Sequence, residues 1–169
     1  ALRPNTGLQT GLDLDGDGTM ELFRVDNDFL YAFDSYAGSV APIRISHLRG
    51  NRLVDISNDP AMHSRLVRDL AAMEFSAKVD PSLWSTNGFL AGWVAAKQRL
   101  GQGEEAWQTA LENLDPKSDF GPQICTSGQD LENCPAENLE AVPVARALAQ
   151  FLSERDYGDL PAVARALLD

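Results

Sequence analysis

Four acidic side chains stand close together near the start of the chain, at Asp13, Asp15, Asp17 and Glu21. Like charges at alternate positions repel one another, so a fold that draws them together needs a counter-charge. Calcium suits this pattern because it takes about six to eight oxygen ligands, and carboxylates on a tight loop converge on it. The spacing predicts a structural calcium site with one oxygen from each aspartate. The Thr19 carbonyl and the Glu21 carboxylate complete the protein ligands, and water fills the rest.

The two glycines of this stretch, Gly16 and Gly18, favour a tight turn because glycine adopts positive φ without steric cost. An EF-hand does not fit, since its twelve-residue loop ends in a glutamate and the twelfth residue counted from Asp13 is Arg24. The residues after Glu21 also look extended rather than helical. A solvated turn without metal is the alternative interpretation, because aspartate and glycine are ordinary turn residues.

The stretch Asp13-Leu-Asp-Gly-Asp-Gly-Thr-Met-Glu-Leu-Phe resembles the calcium loop of FG-GAP and VCBS-type repeats, in which D-x-D-G-D-G-x-x-D/E precedes a strand. The resemblance covers residues from about 11 to 33, and it implies the same ligands as the spacing does. Those repeats occur in several copies that build a β-propeller, whereas this chain holds one copy. The propeller fold and the adhesive functions of the family are therefore not expected here.

The two cysteines, Cys125 and Cys134, lie in a segment rich in glycine, proline and asparagine. Neither a C-x-x-C spacing nor a nearby histidine supports zinc, so a disulfide is predicted, with two free thiols as the alternative. A local disulfide and a calcium loop both favour an oxidising, calcium-rich compartment. We therefore expect a periplasmic or secreted protein, and an anchor in a segment before Ala1 is compatible with that location.

Length, charge and hydropathy limit the number of domains, the class of partner and the presence of membrane segments. A chain of 169 residues predicts a single domain, 1–169. The net charge of −11 would be repelled by phosphate backbones, so nucleic acid is not expected as a partner, and a basic protein or a cation is more plausible than nucleic acid. The sequence holds no run of about 18 apolar residues, so no transmembrane segment is predicted.

Hydrophobic patterning predicts an α+β fold. A small antiparallel sheet of about four strands, in a calcium-loop and hairpin region over 11–57, is expected to be covered by about five helices. These helices fall within 58–169, which also contains the disulfide loop 115–141. The predicted strands are 21–25, 29–33, 40–49 and 53–56, after a loose lead-in over 1–10. The first predicted helix begins at Pro60, the second covers 87–100, and the third begins near Glu104. The fourth runs from Pro143 to about Gly158, and the last follows Asp159.

No catalytic residue is predicted. The chain has two histidines, His47 and His63, and it lacks the G-x-S-x-G, G-x-G-x-x-G and H-E-x-x-H motifs. The expected function is an extracytoplasmic, calcium-stabilised module that binds a protein or a cell-envelope component without catalysis. One alternative is a hydrolase of envelope polysaccharide or peptide, which requires a histidine or a pair of carboxylates in a pocket. The other is an acidic inhibitor or immunity-type protein of a basic enzyme.

Overall fold

A four-stranded antiparallel sheet forms the N-terminal part of the structure, a computed structural model that describes residues 9–169, with side chains from residue 13 onwards. The strands pair in the order β1-β2-β3-β4, so each strand lies beside its neighbours in sequence. Together with the helices that follow, this sheet confirms the predicted α+β class. The strand bounds are β1 (Gln9–Leu12), β2 (Glu21–Val25), β3 (Ile43–Arg49) and β4 (Arg52–Asp55).

The C-terminal part of the chain is mostly helical. Within residues 9–169 there are five α-helices and a second, two-stranded antiparallel sheet. The fourth helix ends at Ser153 rather than near Gly158, since Asp156 and Gly158 adopt positive φ, of 58° and 86°. The helix bounds are α1 (His63–Val79), α2 (Asn87–Arg99), α3 (Gly103–Asn113), α4 (Val144–Ser153) and α5 (Ala162–Arg165), and the second sheet pairs β5 (Gln123–Cys125) with β6 (Leu139–Ala141).

The larger sheet buries one face against the start of α1. Phe23 of β2 lies directly opposite Ile45 of β3, and both side chains are buried. They form a cluster with Ile43 of the sheet, Met62 of the turn that leads into α1, and Leu66 of α1 itself. The buried residues at the start of the first helix therefore supply the cover that the sheet requires.

Helix α2 lies at the centre of the second and larger core, and nearly all of its residues are buried. Two glycines one turn apart let the backbone before β3 approach it. A Cβ at Gly92 would lie 2.9 Å from the carbonyl carbon of Val40 and closer still to its oxygen. A Cβ at Gly88 would lie 2.9 Å from the carbonyl carbon of Gly38. Only glycine allows this contact between a helix and a loop.

The predicted strand over 29–33 is wrong. Residues Asn27–Phe29 form a short 3-10 turn capped by Asp26, and Tyr31 adopts a positive φ of 62°. The aromatic side chains of this segment pack against α4 instead of a neighbouring strand, with the Phe29 and Phe151 rings 4.8 Å apart. The alternating aromatic pattern therefore reflected contacts with a distant helix.

Strand β1, rather than the predicted strand over 29–33, completes the four-stranded sheet. The predicted loose lead-in falls on residues 1–8, which lie outside the described part, and on Gln9 and Thr10, which belong to β1. Strand β1 pairs with β2 through Leu12 and Glu21, which places the acidic stretch in the loop between the two strands. The predicted third strand begins later, at Ile43, and the fourth shifts by one residue.

Segment 115–141 is held by short-range contacts. The structure joins Cys125 and Cys134 in a disulfide. Ile124 of β5 lies opposite Glu140 of β6, and the polar segment between the two strands is mostly exposed. The disulfide therefore closes an exposed, acidic hairpin at the surface.

Candidate metal centre

The loop between β1 and β2 is shaped by its own carboxylates. Asp13 accepts two backbone hydrogen bonds, at Oδ1 from Gly16 N (2.7 Å) and at Oδ2 from Gly18 N (3.1 Å). Asp15 Oδ1 accepts one from Asp17 N (3.0 Å). Gly16 and Gly18 adopt φ of 79° and 84°, in the left-handed region that favours glycine. The loop therefore curls around the aspartates and holds their oxygens in place.

Three of the predicted ligands converge. One oxygen each from Asp13, Asp15 and Glu21 lie within 4.8 Å of one another. The two aspartates are exposed, whereas Glu21 is fully buried at the first position of β2. The group therefore has one ligand fixed in the protein interior and two on the solvent side.

Glu21 supplies the observation that tests whether a cation fits. Its Oε2 accepts a hydrogen bond from Leu14 N (2.6 Å), whereas its buried Oε1 has no hydrogen-bond partner among the described residues. A buried carboxylate oxygen without a partner carries a cost of about 1–3 kcal/mol or more. A divalent cation held by Glu21 and the two aspartates would reduce that cost and the repulsion among the three charges.

The remaining predicted ligands lie at the side of this group. Asp17 is fully exposed and is not one of the three converging carboxylates. Its Oδ1 accepts a hydrogen bond from Thr19 N (2.6 Å), and the hydrogen bonds from Thr19 lower the pKa of Asp17. Asp17 therefore stays ionised at the rim of the loop, where its charge adds to the field that attracts a cation.

His47 lies beside the centre on the neighbouring strand. It is directly opposite Glu21 in the β2–β3 pairing, and it is 8% exposed. Its Nε2 is buried and has no hydrogen-bond partner within the described part of the chain. The spacing of the acidic residues does not indicate His47, because only strand pairing brings it next to the loop.

A second polar cluster was not predicted from the sequence. It consists of Asp26, Arg44, Asp55 and Tyr157. Asp26 Oδ2 accepts hydrogen bonds from Tyr157 Oη (2.6 Å) and from Arg44 Nε (2.8 Å). Arg44 also pairs with Asp55 (3.1 Å). Burial raises the pKa of Asp26, but the hydrogen bonds from Tyr157 and Arg44 outweigh it, so the net pKa is lowered. Asp26 and Tyr157 are 131 residues apart, so no local spacing could indicate this pair.

The histidines form no catalytic arrangement in the described residues. His63 lines a surface cavity of about 430 Å³, and Ser57 lines the same cavity. The Ser57 hydroxyl is engaged with the Ile45 backbone, accepting from its N at 2.9 Å and lying 3.4 Å from its O. No hydrogen bond joins either histidine to a hydroxyl or carboxylate in the part of the chain that is described. The geometry therefore offers no activated nucleophile there.

Comparison with known proteins places the chain beside two curated relatives. A family model described as the sll0997 C-terminal domain matches residues 66–156. An uncharacterized protein, y4bJ, of Sinorhizobium fredii is 40% identical over 145 residues, which are 86% of this chain and 23% of that protein. A probable thylakoid lumen protein, sll0997, of Synechocystis is 38% identical over 155 residues, 90% of this chain and 45% of that protein. The chain thus spans less than half the length of either relative.

No solved structure matches the chain. The family match begins inside α1 and ends after α4, so it covers most of α1, all of α2, α3 and α4, and the disulfide segment, but neither α5 nor the acidic loop. Among the described residues, no helix is both long enough and apolar enough to span a bilayer.

Proposed function

We propose, for a chain that belongs to the sll0997 C-terminal domain family, that it is an extracytoplasmic module stabilised by calcium, which binds a protein or cell-envelope component and performs no catalysis. The observation that carries the metal part is the convergence of one oxygen each from Asp13, Asp15 and Glu21, together with the buried Glu21 Oε1, which has no partner among the described residues. The resemblance of this loop to FG-GAP and VCBS-type repeats supports the choice of calcium. An all-oxygen donor set also suits that hard cation.

The proposed location outside the cytoplasm has two supports. One relative is described as a probable thylakoid lumen protein. The disulfide between Cys125 and Cys134 suits an oxidising compartment, because cytosolic thiols are kept reduced. Calcium in such compartments reaches levels that saturate even sites with dissociation constants of about 10⁻⁴–10⁻³ M. A periplasmic or secreted setting therefore suits both features.

The calcium would have a structural role in this module. It would join the loop to the buried first residue of β2 and so fix the register of β1, which pairs with β2 at Leu12 and Glu21. Strand β1 lies at the edge of the sheet and is the first described element of the chain. Cation binding would therefore couple the edge strand to the core of the sheet.

The outer face of α1 supports a binding role. Four apolar side chains follow one another at intervals of four residues, which places them in one row along the helix. All of them are exposed, including Phe75 at 66% and Val79 at 70%, although large apolar side chains are usually buried. Exposed Arg68 and Lys78 flank the row, which makes this face basic in an acidic protein. The row consists of Val67, Ala71, Phe75 and Val79.

Thermal unfolding of the oxidised protein tests the calcium proposal. Melts are recorded in EDTA, in magnesium and in calcium, and calcium alone is expected to raise Tm. A ligand at 100 times its dissociation constant adds about 2.7 kcal/mol, or about 5–10 °C for a domain of this size. Asp15→Asn is expected to abolish the shift, whereas Asp119→Asn, which removes an exposed acid elsewhere, retains it. Equal melts in calcium and EDTA would reject the proposal.

A further inference from the structure

A surface cavity lies where the sheet, α1 and α2 meet, away from the acidic loop. Its volume is about 430 Å³, which is within the range of small-molecule sites. It is formed by the connection between β4 and α1, by the first turn of α1, and by the end of α2. The lining residues are Ser57, Asn58, Asp59, Pro60, His63, Leu66, Arg99 and Leu100.

One wall of this cavity carries a guanidinium that is not neutralised. Arg99 donates from Nη1 to the Ile43 carbonyl (2.8 Å), but its Nε and Nη2 are buried and have no hydrogen-bond partner among the described residues. Within the same part of the chain, no carboxylate forms an ion pair with it. A buried charge is costly unless a counter-charge or hydrogen bonds compensate it.

Arg44 provides an internal comparison. Both guanidiniums lie over the Tyr157 ring, with their central carbons 4.7 Å (Arg44) and 4.1 Å (Arg99) from its centroid. Arg44 is paired with Asp26 and Asp55. Arg99 has the ring but no ion pair among the described residues, and burial together with the charge of Arg44 lowers its pKa despite opposing influences of Tyr157 and Asp55. Arg99, the one of these two arginines that has no ion pair in the described residues, is the one that lines the cavity.

The other charges around Arg99 do not provide the missing partner. Asp69 accepts a hydrogen bond from the Ile43 amide (3.3 Å) but forms no ion pair within the described residues; its burial raises its pKa, although the charges of Arg65 and Arg99 oppose that shift. Arg65 is a further cation without an ion pair in the described residues. Asp59 stands at the mouth, where its Oδ1 caps the turn at Ala61 N (2.9 Å). The cavity wall is therefore cationic and its mouth carries one acid.

We propose that this cavity binds the oxyanion group of a small ligand, a phosphate or a carboxylate, with Arg99 supplying the charge from the wall and exposed His63 a hydrogen bond at the mouth. The bound anion supplies to Arg99 the counter-charge that Asp26 and Asp55 supply to Arg44, and it acts across the cavity wall because Nε and Nη2 of Arg99 are buried. Because the cavity has low-dielectric walls, the field of Arg99 is focused into it despite the net charge of −11. This site is independent of the calcium loop.

Two probes and four proteins test this inference. Melts are recorded in EDTA at constant ionic strength, with chloride replaced by inorganic phosphate or by acetate. At least one of the two anions is expected to raise the Tm of the wild type by about 3 °C or more at tens of millimolar. Arg99→Gln is expected to lose this shift. Arg146→Gln removes the same charge from an exposed position on α4, outside the cavity, and is expected to retain it.

A variant that is expected to strengthen anion binding keeps the test decisive if Arg99→Gln does not fold. Asp59→Asn removes the acid at the mouth but keeps a good capping side chain. It is therefore expected to tighten binding of the same anion several-fold, as measured by titration calorimetry. The proposal is overturned if neither anion shifts the wild-type Tm, if Arg99→Gln and Arg146→Gln behave alike, or if Asp59→Asn leaves the affinity unchanged.

Discussion

The close contact between α2 and the segment before β3 leads to a sharp prediction for Gly92→Ala. Alanine is a better helix former than glycine by about 1 kcal/mol, so in an open helix this substitution would stabilise the protein. Here the new Cβ would lie 2.9 Å from the Val40 carbonyl carbon, and closer still to its oxygen. Carbon atoms pack best at about 3.5–4.0 Å, so the Val40 backbone must retreat by about 0.5–1 Å or more.

The size of the effect follows from two opposing contributions. Overpacking of a filled core costs about 1–3 kcal/mol, and the upper end applies because the obstructing atoms belong to the backbone and cannot rotate away. After the gain in helix propensity of about 1 kcal/mol, we expect Gly92→Ala to lower the free energy of unfolding by about 2 kcal/mol.

Urea unfolding followed by circular dichroism measures this difference. Gly103→Ala is the control, because its Cβ would meet the Gln98 side chain at 3.3 Å rather than backbone. We expect the control to change the free energy of unfolding by less than about 1 kcal/mol. A Gly92→Ala protein as stable as the wild type, or more stable, would refute the packing described for α2.

Two further predictions concern the polar cluster and the disulfide. The pKa of Asp26 is lower in the folded protein than in the unfolded chain, where it is about 3.9. Ionised Asp26 therefore stabilises the fold above that pH, and this stabilisation is lost as pH falls through the pKa of the folded state. The stability difference between wild type and Asp26→Asn, from urea titrations, should therefore shrink from pH 6 towards pH 3; a constant difference would contradict this. The double substitution of Cys125 and Cys134 by serine should cost at most about 2.7 kcal/mol, since the closed loop spans ten residues, and calorimetry should show no larger loss.

The parts of the fold that could be predicted from sequence depend on local patterns. The first helix follows from apolar residues such as Leu66 and Leu70 on one face, and both are buried. The acidic loop follows from the spacing of its aspartates, and three of its predicted ligands, Asp13, Asp15 and Glu21, do converge. In each case, the signal and the structure it produces lie within a few residues of each other.

The parts that could not be predicted depend on distant contacts. The segment containing Phe29 and Phe33 resembled a strand, but its conformation is set by Phe151. The pair of Asp26 with Tyr157 joins opposite ends of the chain. One local signal was available and was not used: Gly88 and Gly92, four residues apart in a helix, indicate close approach of another backbone.

Direct titration with calcium tests the central claim of a metal-stabilised module. Calorimetry on the wild type is expected to show one calcium per chain, with a dissociation constant of about 10⁻³ M or tighter. Glu21→Gln keeps the shape of the buried side chain but removes its charge, and should weaken binding at least tenfold. Glu140→Gln, on exposed β6, should leave the affinity unchanged. No binding to the wild type at millimolar calcium, or equal binding to Glu21→Gln, would contradict the account.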